Sequence, residues 1–103
     1  MKVSIYVPVL LAGVLFASNS QAANLYAGES MAEEVCSQCH GIKKPAEGSP
    51  FPSLAGRDVA YLRQALKDYR DKTRVSDIMN SIAGSLSDTD IKNVTAYYGK
   101  QKP

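Results

Sequence analysis

The sequence contains 103 residues, of which 45% are hydrophobic, and its formal net charge at pH 7 is +2. This length is sufficient for one domain, and so small a charge gives no indication of nucleic-acid binding. The sequence has two cysteines and one histidine, so a site that depends on these residue types must use the same three side chains.

Residues 1–22 have the features of a secretory signal peptide. A lysine near the start precedes an apolar stretch at residues 5–17, and Ser20 and Ala22 place small side chains around a cleavage position. We predict cleavage after Ala22, which leaves one domain of residues 23–103. The alternative is an uncleaved membrane anchor, although the apolar stretch is shorter than the ~20 residues that span a bilayer.

The next predicted element is a helix over residues 25–35, which leads into a Cys-Ser-Gln-Cys-His segment at 36–40. This order of residues is typical of a c-type haem attachment site. Positions i, i+3 and i+4 share one face of a helix, so the thiols of Cys36 and Cys39 can bond to one porphyrin while His40 approaches its iron. The segment therefore predicts one covalently bound haem c.

Three other kinds of site use similar residues. A structural zinc site usually has four ligands, and this chain offers only three cysteine and histidine side chains. A thioredoxin-like dithiol lies at the start of a helix in a βαβ unit, and no strand is predicted after the N-terminal segment. A structural disulfide is a common feature of exported proteins. We favour covalent haem attachment over all three.

Glycine and proline residues predict a loop over residues 41–53. A helix follows, in which Asp58 is the predicted N-cap and apolar residues recur at the spacing of one helical face. We predict that this helix ends at residues 71–73. Its apolar face consists of Val59, Leu62, Leu66 and Tyr69.

Two further helices are predicted near the C-terminus. A short one carries the apolar residues between positions 75 and 82 and stops at Gly84. Ser87 and Asp90 have the spacing of a capping box, which begins a last helix that is predicted to end at Gly99. We therefore expect an all-α fold with three main helices and one short helix.

Several segments of this sequence occur together in one known family. They are Cys-Ser-Gln-Cys-His-Gly at 36–41, Phe-Pro-Ser-Leu-Ala-Gly-Arg-Asp at 51–58, Tyr-Leu-Arg-Gln-Ala-Leu-Lys-Asp-Tyr-Arg-Asp at 61–71 and Ile-Met-Asn-Ser-Ile-Ala at 78–83. In this order they resemble the class I c-type cytochromes, most closely the cytochrome c4 type and its small single-haem relatives. The resemblance covers nearly the whole mature chain and implies a small cytochrome c fold packed around one covalent haem.

The resemblance implies roles for individual residues near the haem. His40 would be the proximal iron ligand, and the Pro52 carbonyl would accept a hydrogen bond from its second ring nitrogen. Leu54 would pack on the haem face, and Met79 would be the distal iron ligand.

The resemblance also bears on residues away from the iron. Gly28 and either Tyr97 or Tyr98 would lie where the first and last helices cross. Residues 71–78 depart from the turn that is common in relatives, so a contact between Arg74 and a haem propionate is left open.

The residues alone leave the role of Met79 open. Met1 leaves with the signal peptide, and Met31 lies on the helix that carries the attachment segment, so Met79 is better placed to reach the other face of the haem. Its helical spacing with Val75 and Ile82, taken by itself, favours a core position, because apolar stripes usually face a core and methionine often fills gaps there. The resemblance favours the ligand interpretation.

A haem c with histidine and methionine ligands is typical of an electron carrier, and the resemblance implies a soluble periplasmic one. We predict no enzymatic activity and no nucleic-acid partner, and membrane contact only if the signal stays uncleaved. The expected partners are redox proteins, namely a donor dehydrogenase or reductase complex and a terminal oxidase or reductase. The alternatives are a haem subunit of a periplasmic dehydrogenase, such as a flavoprotein that oxidises sulfur compounds, and a gas-binding protein with a five-coordinate haem.

Overall fold

The computed structural model describes residues 22–103, so the predicted signal peptide lies outside the described residues except for Ala22. Within this range the regular structure is entirely helical, which confirms the predicted fold class. The first three segments are continuous, so four helices are present in space. The segments are α1 (Leu25–Met31), the π-helical segment π1 (Ala32–Cys36), α2 (Ser37–His40), α3 (Val59–Asp71), α4 (Asp77–Gly84) and α5 (Asp88–Lys100).

The first helix runs from α1 through π1 into α2. Its start is fixed by Asn24, whose side chain accepts a hydrogen bond from a backbone amide of the first turn at 3.0 Å. In π1 each turn holds about one residue more than in an α-helix. Just beyond this segment the Ser37 hydroxyl donates to the Glu33 carbonyl at 2.8 Å. The haem attachment segment therefore lies on a helix, as its spacing predicted.

The boundaries of α3 agree with the prediction. The Asp58 carboxylate accepts a hydrogen bond from the Tyr61 amide at 2.9 Å, which satisfies a free amide of the first turn. The helix ends at Asp71 because Lys72 adopts the left-handed conformation, with a φ of 65°.

The short helix α4 begins at Asp77, where the Ser76 hydroxyl accepts a hydrogen bond from the Met79 amide at 3.3 Å. It ends at Gly84, as predicted. Val75 precedes this helix and is 83% exposed. The prediction that Val75 belongs to the apolar face of the helix is therefore wrong, because the Ser76 cap starts the helix after it.

The last helix begins with the predicted capping box. The Asp90 amide donates to the Ser87 hydroxyl and the Ser87 amide donates to the Asp90 carboxylate, both at 3.0 Å. The helix continues through Gly99 to Lys100, so the prediction that Gly99 ends it is wrong. A side chain at position 99 would overlap Val59 at the start of α3. The glycine therefore serves the close packing of α3 on α5.

The first and last helices cross at Gly28, which is buried. A β-carbon at this position would overlap the Asn93 carbonyl and would lie 3.1 Å from the β-carbon of Tyr97. The Asn93 side chain also accepts a hydrogen bond from the Asn24 amide at 2.8 Å. The structure therefore places Gly28 and Tyr97 at the crossing that the family resemblance implied.

The buried core lies where the first helix, α3 and α5 meet, and its members are Ala32, Leu62, Val94 and Tyr98. The remaining apolar faces of α3 and α4 border a cavity. Among residues 22–103 the helices are too short or too polar to cross a bilayer.

Candidate haem-binding site

A cavity of about 230 Å³ opens beside α2, α3, α4 and the loop that follows α2. Its lining is mostly apolar and includes Val35, Phe51, Leu62, Ala65, Leu66, Ile78, Ile82, Leu86 and Val94. The structure brings all the predicted site residues to this cavity, namely Cys36, Cys39, His40, Pro52, Leu54 and Met79.

The two cysteines lie on the wall that the first helix forms. Cys36 is the last residue of π1, Cys39 lies within α2, and both are half-buried free thiols. Burial raises the pKa of the Cys36 thiol to about 11, so this thiol is protonated at neutral pH.

The ring of His40 is held by the loop that follows α2. Its Nδ1 lies 2.7 Å from the carbonyl oxygen of Pro52. A carbonyl can only accept a hydrogen bond, so Nδ1 carries the proton and Nε2 keeps the lone pair that can bind a metal. The ring of Phe51 packs edge-on against the imidazole, with the ring centroids 6.0 Å apart. Pro52 and Phe51 together fix the tautomer and the orientation of the imidazole.

The backbone after the attachment segment turns sharply at Gly41, which has a φ of 64°. A β-carbon there would overlap the Lys44 carbonyl, so the turn requires glycine. The Tyr98 hydroxyl donates to the Gly41 carbonyl at 2.7 Å. The sequence analysis did not predict this bond. The only feature of the sequence that pointed to a buried Tyr98 was its helical spacing with Ile91 and Val94, which are also buried.

A second wall of the cavity is formed by α3 and α4. Met79 lies in the first turn of α4 and is half-buried, and Leu66 and Tyr69 contribute from α3. Among the helices between residues 22 and 103, α2 packs on neither α3 nor α4. The cavity therefore lies between a wall that carries an imidazole and a wall that carries a thioether.

Two arginines, Arg57 and Arg74, line the otherwise apolar cavity. The guanidinium carbon of Arg74 lies 5.1 Å from the centroid of the Tyr69 ring, in cation–π contact. A hydrogen bond from Arg74 also lowers the pKa of the exposed Tyr61 hydroxyl. These contacts hold a positive charge beside the cavity, where it can pair with a carboxylate of a bound group.

Comparison with known proteins identifies the family of this chain. The family described as cytochrome c oxidase, cbb3-type, subunit III matches residues 23–97. Cytochrome c-554(548) from Halomonas halodenitrificans is 35% identical over an aligned length of 83, and the alignment covers 74% of this chain and 100% of that protein. The chain belongs to the class I c-type cytochromes. This confirms the resemblance that its sequence motifs indicated.

The cytochrome is also similar to longer proteins. The thiosulfate dehydrogenase electron acceptor of Stutzerimonas stutzeri is 36% identical over an aligned length of 92, and the alignment covers 84% of this chain and 43% of that protein. The solved structure of Acidithiobacillus ferrooxidans cytochrome c4 superposes with a TM-score of 0.70 and 31% identity, covering 80% of this chain and 52% of that one. The cytochrome spans about half the length of the cytochrome c4 relatives that it matches.

Membership of this family implies a covalently bound haem c and its iron. The residues of the cytochrome fit such a group in three respects. Two thiols three residues apart line the cavity, an imidazole presents a free Nε2, and the apolar lining suits a flat apolar ring. The two arginines beside the cavity suit the negative propionates of a haem.

Proposed function

We propose that this cytochrome is a periplasmic electron carrier whose haem is bonded to Cys36 and Cys39 and ligated by His40 and Met79. The hydrogen bond of 2.7 Å between His40 Nδ1 and the Pro52 carbonyl carries the proposal, because it leaves Nε2 as the metal-binding nitrogen. When bound, the haem supplies one-electron redox chemistry, and a histidine–methionine ligand pair gives it a comparatively high potential.

The protein contributes a rigid and dry environment. Phe51 and Pro52 restrict rotation of the His40 ring, and the Ser76 cap fixes the first turn of α4, which carries Met79. Ligands that hold their positions in both oxidation states keep the reorganisation on electron transfer small. Apolar side chains of the lining exclude water, which lowers the local dielectric constant around the iron.

Met79→Ala tests this assignment. The ferric wild-type protein should show the weak long-wavelength absorption band of methionine–haem ligation, and the variant should lose it. The variant should also have a lower reduction potential and should bind carbon monoxide in the ferrous form, since an axial position becomes open. The matched control is Ile78→Ala, which alters the neighbouring cavity residue and should keep the band.

If Met79→Ala has the absorption spectrum and the reduction potential of the wild type, Met79 is only a core residue. A wild-type ferrous protein that itself binds carbon monoxide rapidly would instead favour the gas-binding alternative.

We also propose that residues 1–22 are removed during export. In support, the family match begins at residue 23. N-terminal sequencing of periplasmic protein should start at Ala23. A membrane-bound protein that starts at Met1 would contradict the cleavage.

The similarity to a protein named as an electron acceptor of thiosulfate dehydrogenase favours a second candidate function. In this case the cytochrome accepts electrons directly from a dehydrogenase that oxidises a sulfur compound. Oxidised cytochrome is mixed with purified thiosulfate dehydrogenase, and its absorption is followed after thiosulfate is added. Reduction that requires both enzyme and thiosulfate supports this function, whereas no reduction above the enzyme-free control argues against it.

A further inference from the structure

Tyr98 binds the chain segment directly after His40. Its side chain is 2% exposed, and its hydroxyl donates to the Gly41 carbonyl at 2.7 Å. These residues are 57 positions apart in the chain, so the bond joins α5 to the C-terminal end of α2. A buried tyrosine normally places its hydroxyl on a partner, and here the partner is the carbonyl of the Gly41–Ile42 peptide, one residue beyond His40.

Tyr98 also binds the segment that holds the His40 ring. Its backbone carbonyl accepts a hydrogen bond from the Gly56 amide at 2.9 Å, four residues beyond Pro52. In the same segment the Arg57 amide donates to the Leu54 carbonyl at 3.3 Å and closes a turn around Gly56. One residue of α5 therefore bonds both to the residue that follows His40 and to the loop that carries the hydrogen-bond acceptor of His40.

We propose that Tyr98 is a positioning residue for His40. The Tyr98 hydroxyl sets the orientation of the imidazole toward the Pro52 carbonyl. This inference rests on the proposed function, since it treats His40 as an iron ligand. Tyr98 lines the cavity but acts through the Gly41 peptide, and the bond from its hydroxyl fixes the plane of that peptide.

Removal of the hydroxyl has a defined consequence for the iron. Tyr98→Phe keeps the buried ring but leaves the Gly41 carbonyl without its donor, so the Gly41–Ile42 peptide, which leads from α2 into the loop that carries Pro52, can rotate. The bond from Nδ1 to Pro52 then weakens, and the imidazole becomes a less basic ligand. A less electron-rich ligand stabilises the ferric state less, so the reduction potential rises.

The test uses the haem-containing protein and compares Tyr98→Phe with Tyr97→Phe. Tyr97 is the matched control because its side chain lies beside Gly28 at the crossing of α1 and α5. Proton NMR of the ferric protein gives the pattern of haem-methyl shifts, which depends on the orientation of the axial ligands. We expect a changed pattern and a raised potential in Tyr98→Phe, and the wild-type values for both in Tyr97→Phe.

A second variant covers the case in which Tyr98→Phe does not retain haem. 4-Fluorophenylalanine at position 98 fills nearly the volume of tyrosine but cannot donate, and it should show the same two changes. A wild-type shift pattern and potential in the folded variant that lacks the donor would overturn the proposal. If the wild-type protein itself shows no shifted imidazole protons, His40 is not a ligand, and both the proposed function and this inference fail.

Discussion

At Gly28 the absence of a side chain allows the first and last helices to touch. The Asn93 carbonyl occupies the space that a β-carbon would need. Glycine within a helix costs about 1 kcal/mol relative to alanine, so the favourable contacts at this crossing must offset that cost. At this position the requirement for close packing between helices outweighs helix propensity.

We expect Gly28→Ala to destabilise the protein by about 1–3 kcal/mol, because the overlap with backbone atoms forces the helices apart and exceeds the gain in helix propensity. Denaturant unfolding of the haem-containing protein measures the change in the free energy of unfolding. Gly84→Ala is the matched control, since a β-carbon at the end of α4 would meet no atom within 4 Å. A Gly28→Ala variant as stable as Gly84→Ala would show that the crossing adjusts freely.

Individual site residues differ in how far the sequence could reveal them. Cys36, Cys39 and His40 were predicted because their chemistry depends on spacing within one turn of helix, which is local information. The contact of Tyr98 with Gly41 depends on how α5 packs against a loop 57 residues away, and no local pattern encodes it. That His40 and Met79 bind the iron stays a prediction.

At the level of elements, π1 sets the rotation of the haem attachment segment relative to the helix crossing. Successive residues of an α-helix are rotated by about 100°, so one extra residue turns everything that follows by a similar angle. Ala32 lies in the buried core, Cys36 packs against that core, and both cysteines line the cavity. The sequence analysis predicted the helix and not its π-helical turn, because a π turn reflects packing on both sides rather than residue type.

An ion pair joins the C-terminal end of α3 to the start of α5. Arg70 in the last turn of α3 lies 2.7 Å from the Asp88 carboxylate and also donates to the Leu86 carbonyl at 3.3 Å. The hydrogen bond to Arg70 and its positive charge lower the pKa of Asp88 from its usual 3.8. A carboxylate with a lowered pKa in the folded state stabilises the fold above its usual pKa, and this stabilisation is lost as the pH falls through the lowered value.

Asp88→Asn should therefore lower the melting temperature slightly at pH 7, and the difference from the wild type should disappear as the pH falls below about 3.8. The effect is small because the carboxylate is exposed to solvent. Asp77→Asn is the control, since Asp77 holds the same first position in α4 but forms no ion pair among the described residues. An equal loss in both variants would mean that Asp88 acts only on the helix dipole.

At the scale of the whole molecule, the protein-only core is small. Its largest fully buried side chains are Tyr98, Ile91 and Val94, and the wall that carries His40 is separated from the wall that carries Met79. Domains of this size rarely obtain sufficient stability from one hydrophobic core. We therefore expect the haem to complete the core in addition to serving as the redox centre.

We expect that the double variant Cys36→Ala/Cys39→Ala forms no stable folded monomer, because the haem is no longer bonded to the first helix and cannot fill the space between the two walls. Circular dichroism should show reduced helix content and no cooperative thermal transition. Gln38→Ala, an exposed residue between the cysteines, should keep its haem and its cooperative transition. A cooperative transition in the double variant without haem would show that the polypeptide core alone is sufficient.

The boundaries of the helices along the chain could be predicted more fully than the contacts between the helices. Apolar periodicity and the caps at Asp58 and Ser87 are local signals, and the helices start where they predicted. Gly99 was assigned to a helix end because glycine commonly stops helices, whereas the structure uses it for contact with Val59. Such a contact joins distant segments, so it follows only from the assembled fold.

The hydrogen bond between Asn24 and Asn93 joins residues 69 positions apart. The domain is therefore closed by contact between its first and last helices. Synthesis makes α1 before α5, and pairing between distant segments must overcome the entropy of closing the intervening loop. The chain consequently stays open until α5 is available to pair with α1. In the proposed periplasmic protein this open state belongs to the exported chain, whose Cys-Ser-Gln-Cys-His segment is accessible for haem attachment before the paired helices enclose the product.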